Sequence, residues 1–174
     1  SQMVDPSSVL MDVLKKNNLK YCIKNTQPEI VINCIGALIN ISEENPEMAH
    51  KLNAELPHVL SQLSKELNFR LIHISTDYVF DGLSNISLSE NSKTNPVNEY
   101  GSSKLKGEIA CLKNDPNSII IRTSWLYSSF GNNFLKTMIE LMKKNNSVKV
   151  VNDQIGSPTY AYDLAKVILK IIVN

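Results

Sequence analysis

Four short segments dominate what this chain can fold into: "EIVINCIG" (29–36), "RLIHIS" (70–75), "SIIIRTS" (118–124) and "VKVVN" (148–152). Each is rich in β-branched residues and close to continuously apolar, as a strand covered on both faces must be. Helical patterns separate them. "PEMAHKLNAELPHVLSQLSKEL" (46–67) carries apolar residues at helical spacing, with Pro57 as an expected kink. "NEYGSSKLKGEIACLK" (98–113), "NNFLKTMIELMKK" (132–144) and "YAYDLAKVILKIIV" (160–173) follow. Strand and helix in alternation predict an α/β fold: a doubly wound parallel sheet with helices on both faces.

The 174 residues are 43% hydrophobic and 20% charged, enough for one domain with a real core. The formal charge of +1, without a basic block, argues against nucleic acid or an anionic membrane as partner. The apolar runs are too short to span a bilayer, and "SQMVDPSS" has no secretion-signal pattern, which predicts a cytoplasmic protein. Cys22, Cys34 and Cys111 lie far apart and read as free thiols, with Cys34 expected to be packed. Six scattered glycines build neither GxGxxG nor GxxxxGK, so the phosphate-cradling turn usual in nucleotide-binding α/β domains is not among these residues.

Ligands on such sheets bind beyond the carboxyl ends of the strands. The segments found there, "CIGALIN", "STDYVFDG", "TSWLYSSFGNN" and "NDQIGSPTY", are the most chemically varied in the chain. One connection after the second of them, Tyr100 and Lys104 stand four apart and share one helix face. With six tyrosines and sixteen lysines (18 basic residues less Arg70 and Arg122), chance alone gives about 0.5 such pairs. A second pair, Tyr162 and Lys166, is present in the closing helix with no strand-end hydroxyl just before it, and Tyr162 is expected to pack. What separates Tyr100 is the strand end before it, with Ser75 and Thr76. A hydroxyl there can hold a carbonyl against the phenol, and a nearby ammonium lowers the pKa of that phenol.

The order of strand-end Ser/Thr followed by Tyr-x-x-x-Lys resembles the extended short-chain dehydrogenase/reductases. "HISTDYVFDG", "NPVNEYGSSKLKGE", "IRTSWLY", "GNNFLKTM" and "VNDQIGSPTYAYDLA" are similar, in order and over residues 29–165, to the dTDP-4-dehydrorhamnose reductase family. The resemblance implies a Rossmann-like NAD(P)-binding domain over 1–174, with a substrate-binding lobe starting after about 152. It implies reduction of a 4-keto group on a nucleotide-activated deoxysugar by NADPH or NADH, in nucleotide-sugar biosynthesis. Tyr100 would be the general acid, Lys104 its pKa modifier and a ribose ligand, and Thr76 the ketone's hydrogen-bond donor. Asp77 and Trp125 would lie against the sugar. Gly36, Ala37, Leu38 and Ile74, with Tyr100 and Lys104, would face the cofactor. A homodimer, with magnesium at a subunit contact, is a further implication. The family's glycine-rich turn belongs upstream of these residues and the rest of its sugar-nucleotide lobe downstream, so a longer protein is expected.

The remaining candidates have plainer readings. Asn53 is either the asparagine such reductases keep in that helix or a surface amide. His73, inside a strand, reads as a core histidine. His50 and His58 lack partners at ligand spacing, and Asp81 reads as a turn cap. The competing function is a non-catalytic regulatory or binding subunit on the same scaffold. An epimerase or dehydratase of the extended family is weaker, because "TSWLY" and "GNNF" fit the reductases.

Overall fold

A computed structural model describes residues 14–173. The readings of the first residues therefore lie outside the described residues. The chain divides into two compact units between Arg122 and Thr123.

In the first unit, α1 (Lys16–Thr26) leads to β1 (Ile30–Asn33), then α2 (Ile39–Glu44), α3 (Pro46–His50) and α4 (Leu56–Leu67). β2 (Arg70–Thr76), α5 (Glu99–Asn114) and β3 (Ile119–Thr123) follow. The sheet order is β1-β2-β3, and β1 pairs with β2 in parallel, Asn33 opposite His73. The core joins Leu19 and Ile23 of α1, Leu56, Leu60 and Leu63 of α4, Leu71 of β2 and Cys111 of α5. Three helices thus bury their apolar faces on one side of the sheet, the packing that a βαβ order dictates.

The kink expected at Pro57 is a wide π turn over Lys51–Glu55, between α3 and α4. Proline has no N–H for the carbonyl four residues back, which here is Asn53. Gly107 of α5 sits against that carbonyl: a Cβ there would lie 2.1 Å from Asn53 O. Gly101 likewise faces the Tyr78 carbonyl, at 2.1 Å from an added Cβ. The two glycines let α5 approach both backbones more closely than any other residue would allow. Asn98 caps α5, accepting from Gly101 N at 2.8 Å.

The second unit holds β4 (Leu126–Tyr127), α6 (Phe134–Lys144), β5 (Thr159–Tyr160) and α7 (Ala161–Val173), with β4 and β5 parallel. Asn133 caps α6, as the "GNNF" loop predicts, accepting from Lys136 N at 3.1 Å. The strand expected over 148–152 does not form. Val150 and Val151 are exposed, with no ladder beside them among the described residues. β-branched composition without a pairing edge does not make a strand. Among the described residues no helix is long and apolar enough to cross a membrane.

Candidate active site

Thr76, Tyr100 and Lys104 converge at the carboxyl end of β2. Thr76 ends the strand and caps the turn that follows, accepting from Tyr78 N at 3.3 Å. Its hydroxyl also acts on the Tyr100 phenol, pulling that pKa down. Tyr100, in the first turn of α5, packs edge-on against Tyr78 with ring centroids 5.5 Å apart, and its N–H donates to Glu43. Lys104, one turn on, is 5% exposed and donates from Nζ to the Ile74 carbonyl at 2.6 Å.

The electrostatics differ from the sequence expectation in one respect. Burial raises the Tyr100 phenol above its ordinary value, opposed by the Thr76 hydroxyl and reinforced by Asp77. Lys104 does not depress it in this structure; the ammonium is turned to the Ile74 carbonyl. Burial holds Lys104 itself down to about 8, against the pull of Glu108. The Asp77 carboxyl is raised by desolvation, with the Thr76 hydroxyl 3.3 Å away.

Asn53 resolves to the buried alternative. It is fully buried and clamps the segment after β1: Oδ1 accepts from Ala37 N at 2.8 Å, and Nδ2 donates to Ala37 O at 3.2 Å and Ser103 Oγ at 3.0 Å. Gly36 lies in that segment, and a Cβ on it would stand 2.9 Å from Asn53 Oδ1 and 3.8 Å from Lys104 Nζ. Ala37 is buried and Leu38 exposed at the start of α2. Cys34 is exposed rather than packed, because β1 ends at Asn33 and the chain leaves the sheet there. His73 is a core histidine: fully buried, its Nδ1 accepts from Asn33 Nδ2 at 3.0 Å. Burial, then the Lys104 charge, lowers it to about 3.

Trp125 belongs to the second unit, with φ 47° and 40% exposure. Its indole stands edge-on to Phe134 at 5.9 Å, over Gly156, and the Ser124 hydroxyl ties the neighbouring loop through Ser157 O at 2.7 Å. Tyr162 is exposed rather than packed and forms a solvated helix pair with Lys166, whose Nζ lies 4.2 Å from the ring centroid. Asp81 caps a turn, accepting from Leu83 N and Asn95 Nδ2. His50 and His58 bond to neighbours on exposed surface. Among the described residues no group of three or more His, Cys, Asp or Glu could hold a metal ion, which leaves magnesium without support.

Sequence reasoning passed over Glu108 and Arg122. Arg122 Nη2 lies 2.7 Å from Glu108 Oε2, and Ser75 Oγ donates to Glu108 Oε1. Both were detectable. Glu108 follows Lys104 by four residues, and an arginine inside an apolar strand requires a partner.

Relatives share this arrangement of elements. The chain is 40% identical over 144 residues to dTDP-4-dehydrorhamnose reductase of Salmonella typhimurium, covering 82% of this chain and 48% of that protein. It is 35% identical over 161 residues to the enzyme of that name from Sinorhizobium fredii, covering 92% and 54%. The family described as RmlD substrate binding domain matches residues 1–174. The chain belongs to the dTDP-4-dehydrorhamnose reductase family. Two solved reductases of this family superpose closely. The Bacillus anthracis structure, in complex with NADP, has a TM-score of 0.91 at 36% identity, covering 98% of this chain and 61% of that one. The Clostridium acetobutylicum structure has a TM-score of 0.90 at 38% identity, covering 97% and 60%. The fold is therefore the Rossmann-like α/β fold of the reductase family. The chain spans about half the length of the curated relatives it matches.

Proposed function

We propose that the protein to which these residues belong reduces the 4-keto group of a nucleotide-activated deoxysugar with NADPH, as a dTDP-4-dehydrorhamnose reductase. The observation that carries this reading is the meeting of a strand-end hydroxyl, a half-buried phenol and a buried ammonium at one end of β2. The residues suit a nicotinamide dinucleotide. Gly36 leaves the approach to Lys104 Nζ without a side chain, and an ammonium with one donor on Ile74 O has others for ribose hydroxyls. The Bacillus anthracis relative solved with NADP favours the phosphorylated form of the cofactor.

The cofactor, when bound, supplies a hydride to C4. The chain's own residues handle the proton. Thr76 donates a hydrogen bond to the ketone oxygen and holds it at the phenol. Tyr100, kept protonated by burial, gives its proton to that oxygen as charge develops there. Lys104, whose ammonium stands at the Ile74 carbonyl and not at the phenol, holds the nicotinamide ribose hydroxyls. Asp77 lies beside the sugar, Trp125 packs on its face, and Gly36, Ala37, Leu38 and Ile74 line the cofactor's path. The residues after about 152 begin the substrate-binding lobe. Cytoplasmic nucleotide-sugar biosynthesis is the setting.

Full-length protein mixed with NADPH and dTDP-4-keto-6-deoxysugar tests this. Consumption of NADPH with formation of the 4-hydroxy sugar is expected. Absence of turnover on any nucleotide keto-sugar, while a control reductase works, overturns it in favour of a scaffold role.

A further inference from the structure

Glu108 is 3% exposed and lies one turn beyond Lys104 on α5. A buried carboxylate costs several kcal/mol unless it is paired and hydrogen-bonded. This one is held on both oxygens. Arg122 Nε stands 3.0 Å from Oε1 and 3.2 Å from Oε2, Nη2 stands 2.7 Å from Oε2, and Ser75 Oγ donates to Oε1. Arg122 in turn donates from Nη1 to the Glu90 carbonyl at 3.2 Å and lies 5.1 Å over the Phe80 ring. One carboxylate thus joins α5, the end of β2, β3 and the loop after β2. Ser75 stands between Ile74, whose carbonyl takes Lys104, and Thr76. The reaction described above uses neither Glu108, Ser75 nor Arg122.

We propose that Glu108 is a positioning residue for the reduction: locked by Arg122 and Ser75, one turn beyond Lys104, it fixes the strand end that carries Thr76 and the Ile74 carbonyl that holds Lys104. The inference rests on the role of Lys104 given under the proposed function. The groups that act on Lys104 are few. Cys34 follows β1, His73 stands on β2, and Glu108 and Cys111 share α5 with it. Burial raises Cys111 to about 12 and lowers His73 to about 3, and partial desolvation raises the exposed Cys34 above its ordinary value, so all three are neutral at working pH. That leaves Glu108 as the anion in this set, and it is the largest influence opposing the desolvation of Lys104. Arg122, on the far side of Glu108, offsets part of its charge.

The two partners therefore have opposite effects. Glu108→Gln keeps the shape, removes the anion and leaves the Arg122 cation. Arg122→Gln leaves the anion unopposed. In full-length protein, the alkaline limb of the kcat profile is expected to move to lower pH in Glu108→Gln, by about one unit, a tenfold change in proton concentration. In Arg122→Gln it is expected to move to higher pH. Titration of the Lys104 Nζ resonance by NMR reads the same two signs without turnover. It keeps failure of this inference distinct from failure of the reductase reading, which is a wild-type protein that reduces nothing. If Glu108→Gln does not fold, the alkaline shift in Arg122→Gln decides alone. Limbs and resonances that stay in place, or move together in one direction while both variants lose thermal stability, mean that the network is only structural and overturn the inference.

Discussion

At the residue scale, the pair on α5 is tuned in two directions by one cause. Burial disfavours charge, so it raises the Tyr100 phenol and lowers the Lys104 ammonium to about 8. A raised phenol holds its proton, as a proton donor must. The lysine is the weaker link: above its pKa it loses a proton and the charge with which it holds the cofactor's ribose. kcat/KM for the keto-sugar is therefore expected to be flat near neutrality and to fall above about pH 8, before Tyr100 itself ionises. A profile measured between pH 6 and about 10 checks this. Asn53 acts through geometry instead. Its three hydrogen bonds hold Ala37 and Ser103 together in the interior. Asn53→Leu leaves the Ala37 amide unpaired and its carbonyl with only the Ser42 hydroxyl, at 3.4 Å, and a loss of about 1–3 kcal/mol in urea unfolding is expected.

At the scale of elements, α5 carries the site, and its glycines decide how close it lies. Gly107→Ala places a Cβ 2.1 Å from a backbone oxygen that has no flexible end to swing away. Overpacking of this kind costs about 1–3 kcal/mol, so a clear fall in melting temperature is expected; an unchanged melting temperature contradicts the close approach. Much of α5 was legible beforehand. Tyr100 and Lys104 on one face and the helical pattern over 98–113 are local signals, and the helix runs Glu99–Asn114. The three main strands were equally clear, because buried parallel strands are continuous apolar runs. The failures have physical reasons. "VKVVN" has strand composition, but pairing is not encoded in composition. α1 has a polar surface and a narrow apolar stripe through Leu19 and Ile23, too faint to read without the α4 surface that covers it. The Glu108–Arg122 bridge spans two elements, so the need of Arg122 for a partner was legible but which carboxylate met it was not until the fold joined them.

At the scale of the whole molecule, the same burial makes the fold sensitive to acid. His73 stays neutral in the folded protein down to about pH 3, whereas an unfolded histidine takes a proton near 6.5. Its folded pKa lies below its unfolded one, so its contribution is complete above pH 6.5 and is lost as pH falls from 6.5 toward 3. Each pH unit in that window removes roughly 1.4 kcal/mol. In His73→Gln, which keeps a polar group for Asn33, the stability difference between pH 7 and pH 4 is expected to shrink by about 2–3 kcal/mol. Urea unfolding at the two pH values reads it, and an identical difference in both proteins contradicts a buried neutral histidine. The central claim is that the end of β2 and the start of α5 form the proton-donating half of a carbonyl reduction site. Its most direct test is the kcat of Tyr100→Phe in the full-length protein, beside its NADPH affinity. The account predicts a fall of about 10²–10⁴-fold in kcat with NADPH affinity changed little; turnover at the wild-type rate would contradict it.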